Sequence, residues 1–323
     1  MFRMAVFQSV ALVASCLVSP IASSQTEYPN KPVRIVVPYP PGGATDSAVR
    51  VFADGLTGLL GQQIIVDYRA GAGTNIGASY VASSAPDGYT LYVANFASNA
   101  VNKWLYKKLS YDPQKDFAAV AMLTVSPQFL VVHPSVPVKS VKDLVRLAKA
   151  NPGKLTYGSA GVGSPNHIAA ELFRMEAGIQ AVHVPYKGSA MSSLALLGGQ
   201  TDYIFDATAM TYVHAGKLRA LAVAYTKRWP TEPNLPSMAE LGYPGVSVEP
   251  FFALVAPANT PLPIRQKLND AARAIATRPD VATKLSPIGL IPLAYSVKET
   301  ADFLREQGSK WAPVVKASGA AVD

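Results

Sequence analysis

The chain has 323 residues, 49% of them hydrophobic and 15% charged, with a formal net charge of +8. That length accommodates about two domains, and the apolar content excludes wholesale disorder. Lys and Arg are scattered rather than gathered into a stripe, which argues against a nucleic-acid partner, while a diffuse positive field favours anionic small molecules.

The N-terminus carries Arg3, a mostly apolar run from Ala5 to Val18, and then small residues around Ala22 and Ser24. This reads as an export signal over 1–24, too short for a membrane span, with cleavage before Gln25. A competing reading takes Val13-Ala14-Ser15-Cys16 as a lipoprotein site, but Leu17, Val18 and Ile21 suit an exposed tether poorly. Cys16 is the single cysteine, so the exported chain would hold no disulfide and would depend on core size for stability. Without Arg3 the charge is 28 − 21 = +7. No later run is long and apolar enough to span a membrane.

After an extended lead-in at Tyr28–Pro32, the apolar run 33–37 reads as a strand. Tyr39-Pro-Pro-Gly-Gly-Ala-Thr-Asp46 follows, and then an amphipathic helix to about Leu60 with Gly61 as its C-cap. Gly42 and Gly43 let a ligand approach the backbone, and Thr45 and Asp46 suit a helix cap and first turn. A helix start exposed in this way offers unpaired N–H groups and partial positive charge to an anion. Ile64–Tyr68 is a second strand, Gly71–Gly77 opens a helix to about Ser84, and Tyr89–Ala94 is a third strand. Asn95–Asn102 reads as a polar loop on the same sheet edge as the first turn. Phe129–Val132 is the next strand, and Ser140 to Asp143 starts a helix stopped by Asn151-Pro152-Gly153. Strands alternating with helices predict a mostly parallel sheet covered on both faces.

The grammar then repeats. Lys154–Tyr157 is a strand, Gly158-Ser-Ala-Gly-Val-Gly-Ser-Pro165 a glycine turn, and Asn166–Ala177 a helix closed by Gly178. Strands follow at 182–184, at 202–205 (delivering Asp206) and at 218–225, with a helix near Ala190–Leu197. Arg228–Pro250 is rich in turn residues, and Phe251–Ala256 is a strand whose Phe251 and Phe252 suit the core. Two helices close the chain, one after Thr260-Pro261 and one opened by the capping box Ser296-x-x-Glu299.

Six motifs, in order, resemble the extracytoplasmic solute receptors of tripartite tricarboxylate transporters, the Bug receptors. They are 37–46, Gly-Ala-Gly-Thr-Asn-Ile-Gly at 71–77, Leu105–Phe117, Tyr-Gly-Ser-Ala-Gly-Val-Gly-Ser-Pro-Asn-His at 157–167, Val-Pro-Tyr-Lys-Gly at 184–188, and His214–Val223. The resemblance implies a periplasmic-binding-protein-like α/β fold, two domains around a cleft that close on a ligand. By that likeness domain 1 is 25–127 plus 249–323, and domain 2 is 128–248. It implies a periplasmic, monomeric receptor, without cofactor or metal, that captures a small carboxylate and hands it to the transporter's membrane subunits. A periplasmic sensor signalling to a partner protein would share the same fold and pocket.

The family's carboxylate is held between the two glycine turns. Carried over residue by residue, Gly42, Gly43, Ala44, Thr45 and Asp46 would supply one helix start, and Ser159, Gly161, Ser164 and His167 the other. This agrees with the rule that ligands bind beyond the carboxyl ends of strands in open α/β sheets. Tyr39 would wall the pocket or simply pack, and Asp206 would either meet a polar ligand group or cap a loop. One departure stands out. Where relatives carry a Ser/Thr-rich run ending in His, this chain has Asn95-Phe96-Ala97-Ser98-Asn99. With Asn95, Phe96 and Ser98 at the distal pocket, a less polar lining is expected. Phe96 would then stack on the ligand, which favours an aromatic carboxylate over citrate.

Signs of catalysis are thin. Gly-x-Ser-x-Gly, P-loop and His-Glu-x-x-His motifs are absent, and Ile76 stands where a dinucleotide turn needs glycine. Ser164 and His167 are spaced as a helix cap more than as an activated nucleophile.

Overall fold

The computed structural model describes residues 28–317; the export signal and Cys16 lie outside the described residues. The strands are β1 (Val33–Val37), β2 (Ile64–Tyr68), β3 (Thr90–Asn95), β4 (Phe117–Val125), β5 (Phe129–Val132), β6 (Thr156–Ser159), β7 (Val182–Pro185), β8 (Tyr203–Phe205), β9 (Arg219–Val223), β10 (Phe251–Pro257) and β11 (Ile291–Pro292). The helices are α1 (Ala44–Leu60), α2 (Asn75–Ala82), α3 (Asn102–Leu105), α4 (Val141–Ala150), α5 (Pro165–Ala177), α6 (Ser189–Leu197), α7 (Met210–His214), α8 (Leu262–Ala276), α9 (Pro279–Leu285), α10 (Val297–Lys310) and α11 (Ala312–Ala317).

Two sheets organise the chain, a six-stranded one in the order β11-β4-β10-β3-β1-β2 and a five-stranded one in the order β7-β6-β8-β5-β9. The strands of the second sheet all fall between Phe129 and Val223, and the first sheet takes its strands from both sides of that stretch. Two of the five strand pairs in the first sheet and two of the four in the second are parallel, which corrects the expectation of mostly parallel sheets. β1 pairs parallel with β2 and β3, but β10 runs antiparallel between β3 and β4. β6 pairs parallel with β7 and β8, but β5 runs antiparallel between β8 and β9. A strand arriving from the other sheet has no crossover helix to reverse it, so it enters antiparallel.

The sequence reading passes over β4 altogether. Val120, Ala121 and Leu123 of β4 pack into one core and Ala119, Met122 and Val125 into the other, so both faces are buried and no polar alternation marks the strand. Its three alanines are also weak strand formers. The C-terminal segment from Phe251 onward returns to the first sheet: α8 and α10 cover β4, and β10 pairs between β4 and β3. Near Ser126 and Pro250 the two connecting segments run side by side, joined by the bond from Ser126 N–H to the Pro250 carbonyl at 2.9 Å.

Candidate functional site: two unlike glycine turns

The first turn leaves β1 and enters α1 at Gly43, its N-cap residue. Gly42 sits at φ +93°, a backbone conformation that favours glycine. Gly42, Gly43 and Ala44 are exposed, whereas Thr45 and Asp46 are buried behind them. No side chain caps the helix. Among the described residues, the N–H groups of Gly43, Ala44, Thr45 and Asp46 meet no acceptor within the chain. Four donors therefore share one helix start, where the macrodipole adds positive charge.

Asp46 braces this turn from behind. Its carboxylate accepts from Gly42 N–H at 2.8 Å, Arg50 Nε at 2.9 Å and the Tyr68 hydroxyl at 2.5 Å. Burial pulls its pKa upward, but the bonds from Tyr68, Gly42 and Arg50 outweigh burial and hold it below the usual value.

Tyr39 is half-buried, its hydroxyl 3.4 Å from Asn95 Oδ1, and burial pushes its pKa up to about 12. Asn95 in turn caps a π-helical turn at Phe96–Val101 through a reciprocal pair of bonds with Ser98. The expected polar loop is therefore a buried helical segment, of a kind often found at functional sites. Phe96 is packed into the core. It is 2% exposed and meets Trp311 edge-to-face at 5.1 Å. This corrects the expectation that its ring stacks on a ligand: core burial of two aromatic rings has claimed it. Nor is the neighbourhood apolar. The single Tyr111 hydroxyl hydrogen is shared between the Ser98 carbonyl at 2.9 Å and Asn75 Oδ1 at 3.1 Å, and Asn102 Nδ2 donates to Asn75 Oδ1. The sequence reading misses Asn75, Asn102 and Tyr111 because polar residues at helix starts and turns read as caps.

The second turn is wired differently. α5 carries a true cap, Ser164 Oγ accepting from His167 N–H at 3.3 Å. Gly161, at φ +121°, donates its N–H to Ser159 Oγ at 3.1 Å, and Gly163 donates to His167 Nδ1 at 3.2 Å. Ser159 Oγ also lies 2.6 Å from His183 Nε2. Among the described residues, the N–H groups of Ala160 and Val162 in this turn, and of Asn166 just inside α5, stay without an acceptor in the chain. His183 is a further residue the sequence reading misses. The parallel register that sets it beside Tyr157 is legible only once β6 and β7 are paired.

Asp206 lies behind this turn and is 2% exposed. Its carboxylate accepts from Asn166 Nδ2 at 2.8 Å, Thr208 N–H at 2.7 Å and Thr208 Oγ1 at 2.8 Å, so it holds the start of α5 and the loop after β8. Burial raises its pKa despite these donors.

The two turns border one region. Tyr39 ties the first turn to Asn95, and the helical segment that follows packs against the second turn. A Cβ placed on Gly163 would lie 2.8 Å from Leu105 and 3.4 Å from Val101. A cavity of about 220 Å³ lies elsewhere, between the first sheet and α10, lined by Tyr92, Phe117, Gln114, Arg265 and Leu304. It touches neither glycine turn, and size alone is weaker guidance than unpaired donors. No described helix is long and apolar enough to cross a membrane.

Comparison with known proteins agrees with this architecture. Residues 48–320 match the tripartite tricarboxylate transporter family receptor. The chain is similar to BugT of Bordetella pertussis, 33% identical over 323 residues, covering 99% of this chain and 98% of that protein. It is similar in structure to a Rhodopseudomonas palustris protein solved with adipate, at a TM-score of 0.81 and 36% identity, covering 91% of this chain and 99% of that one. It is likewise similar to MatC of Rhodopseudomonas palustris with bound malate, at a TM-score of 0.77 and 33% identity, covering 89% of this chain and 100% of that one.

Proposed function

The chain belongs to the tripartite tricarboxylate transporter receptor family, the Bug receptors, and from that membership we propose that it is a periplasmic solute-binding protein for a small dicarboxylate, which it delivers to the transporter's membrane subunits. The observation that carries this reading is the uncapped start of α1, where four N–H donors sit behind an exposed Gly42–Ala44.

One carboxylate of the ligand binds there and is met from the other side by the N–H groups of Ala160 and Val162. Closure of the two lobes, 25–127 with 249–323 and 128–248, about the paired connections at Ser126 and Pro250 brings the turns onto it. Each helix start supplies about 0.3–1 kcal/mol when exposed and about 2 when enclosed, and each charge-assisted hydrogen bond about 1.5–3. Several together approach the roughly 8 kcal/mol of micromolar binding without an arginine clamp. The second carboxylate reaches the hydroxyl of Tyr39, which Asn95 holds in place from behind. That polar surround, and the withdrawal of Phe96 into the core, favour a linear acid over an aromatic one. Adipate and malate, bound by two relatives, are both of this kind.

The Ser159–His183 contact resembles a nucleophile and its base. Among the described residues no carboxylate hydrogen-bonds either His183 or His167 to orient it, and burial lowers His183 to about 4, which makes it a weak base. The pair serves the turn instead.

A thermal-shift panel of adipate, malate, citrate and benzoate tests the reading. At a concentration of about one hundred times Kd, binding adds roughly 2.7 kcal/mol to stability. A dicarboxylate shift that exceeds the benzoate shift is the expected result. A shift with benzoate alone contradicts the proposal.

A further inference from the structure

The second turn contains two histidines that the carboxylate reading leaves without a role. Their rings stack with centroids 4.2 Å apart, and Tyr157 lies 4.9 Å from His183 and 6.4 Å from His167. Each ring nitrogen named above faces the turn's backbone. His167 Nδ1 accepts the Gly163 N–H, so that nitrogen carries no proton in this arrangement. His183 Nε2 meets Ser159 Oγ, the same oxygen that receives the Gly161 N–H. Two alternate N–H groups are thus drawn inward, and the two between and before them, Val162 and Ala160, are left for a ligand.

We propose that His183 and His167 are positioning residues of the carboxylate site, which in their neutral forms hold Gly161 and Gly163 inward so that Ala160 and Val162 present their N–H groups to the ligand. The proposal rests on the carboxylate reading above. Protonating His167 at Nδ1 removes the acceptor for Gly163 and sets a donor against a donor. Protonating His183 makes its Nε2 a donor to Ser159 Oγ, whose own hydrogen then points to the Gly161 carbonyl at 3.2 Å. Charging both rings places like charges in stacking contact.

The charged and titratable neighbours are few. From α5 come Glu171, bonded to the Tyr157 hydroxyl and paired with Arg174, and Arg174 itself. β6 brings Tyr157 and β8 brings Tyr203, which stacks on Tyr157 at 5.7 Å; Lys187, four residues beyond His183, is exposed. Glu171 favours the charged rings, but burial outweighs it at both. Burial, then the nearness of His167, sets His183 at about 4, and burial lowers His167 as well. The neutral state therefore holds at neutral pH, and the unfolded chain takes up these protons first as pH falls. Stability contributed by the pair is present in full above about pH 6.5 and is lost progressively toward about pH 4.

Two substitutions and two readouts test the proposal. His183→Phe keeps a stacked ring and removes the nitrogen, and His183→Gln keeps a polar group able to reach Ser159. In the ligand-free protein, ¹H–¹⁵N NMR follows the amides of Gly161 and Gly163 from about pH 7 to about pH 4. The expected result is that both amides move together with the ring protons of His183 and His167, with midpoints below 6.5. Glycine amides that stay still while the rings titrate overturn the proposal. With adipate as the probe, calorimetry at neutral pH is expected to show roughly a tenfold loss for His183→Phe and a much smaller one for His183→Gln, the size of one hydrogen bond. Equal affinity in wild type and His183→Phe also overturns it. A wild-type protein that fails to bind adipate counts against the ligand class, and the NMR result then decides this proposal alone.

Discussion

The two glycine turns use the same strand–turn–helix grammar and solve opposite problems. The first leaves a helix start open: Gly43 offers no side-chain cap, and the only brace, Asp46, works from behind. The second closes almost everything. Ser164 caps α5, Ser159 and His167 accept from alternate glycine amides, and a stack of aromatic rings holds those acceptors still. An open helix start supplies attraction for an anion, while a wired turn supplies direction, since its two remaining donors cannot rotate away. Affinity should therefore depend most on the first turn, while the second adds a pH dependence of its own through its histidines.

The largest expected effect breaks the first turn. Gly43 has φ −91° and nothing within 4 Å of where a Cβ would stand, so Gly43→Val should fold, at a cost of no more than about 1 kcal/mol for a poor N-cap residue. Its methyl groups would cover the donors, and the carboxylate-induced thermal shift should vanish. Gly161→Val should lose binding and also fold stability, by about 1–3 kcal/mol, because φ +121° strains any side chain. If both variants bind normally, the anion sits elsewhere.

Next in size, Asp46→Asn removes the charge that holds Gly42, Arg50 and Tyr68, and should cost about 1–3 kcal/mol at neutral pH by urea unfolding. Because the folded pKa of Asp46 is lowered, its contribution is present above the unfolded carboxyl value and is lost as pH falls through the folded one. The difference between wild type and Asp46→Asn should shrink in acid, and a constant difference across pH would show that charge is not the cause. Ser164→Ala should cost about 1 kcal/mol through the lost cap, with a smaller loss of adipate affinity than Gly43→Val produces. Reversal of that order in calorimetry would reverse the division of labour between the turns. The smallest effect on binding is expected from Phe96→Leu. It should lower stability by about 1–2 kcal/mol through lost packing on Trp311 and leave the ratio of adipate to benzoate affinity unchanged. A benzoate preference that disappears with the ring would restore the stacking expectation.

What the sequence made legible follows from where physics is local. Glycine turns, helix caps such as Ser164 and Ser296, and the β1-turn-α1 unit depend on neighbours a few residues away, and they stand where the residues place them. β4 escaped because burial on both faces erases alternation, and the mixed sheet order escaped because β10 arrives from far along the chain. The Asn95–Asn102 stretch read as loop because its polar residues satisfy one another in the interior rather than in water. Phe96 shows the limit of residue chemistry: an aromatic ring beside Asn95 can as readily face a tryptophan more than two hundred residues away. His183 was illegible for the same reason, since its partners Ser159 and His167 come from another strand and from α5.

The most direct test is a crystal structure of the protein with adipate bound. The account predicts one carboxylate within hydrogen-bonding distance of the N–H groups of Ala44 and Thr45 on one side and of Ala160 and Val162 on the other. Adipate lodged away from both turns, for example in the cavity beside Arg265, would contradict it.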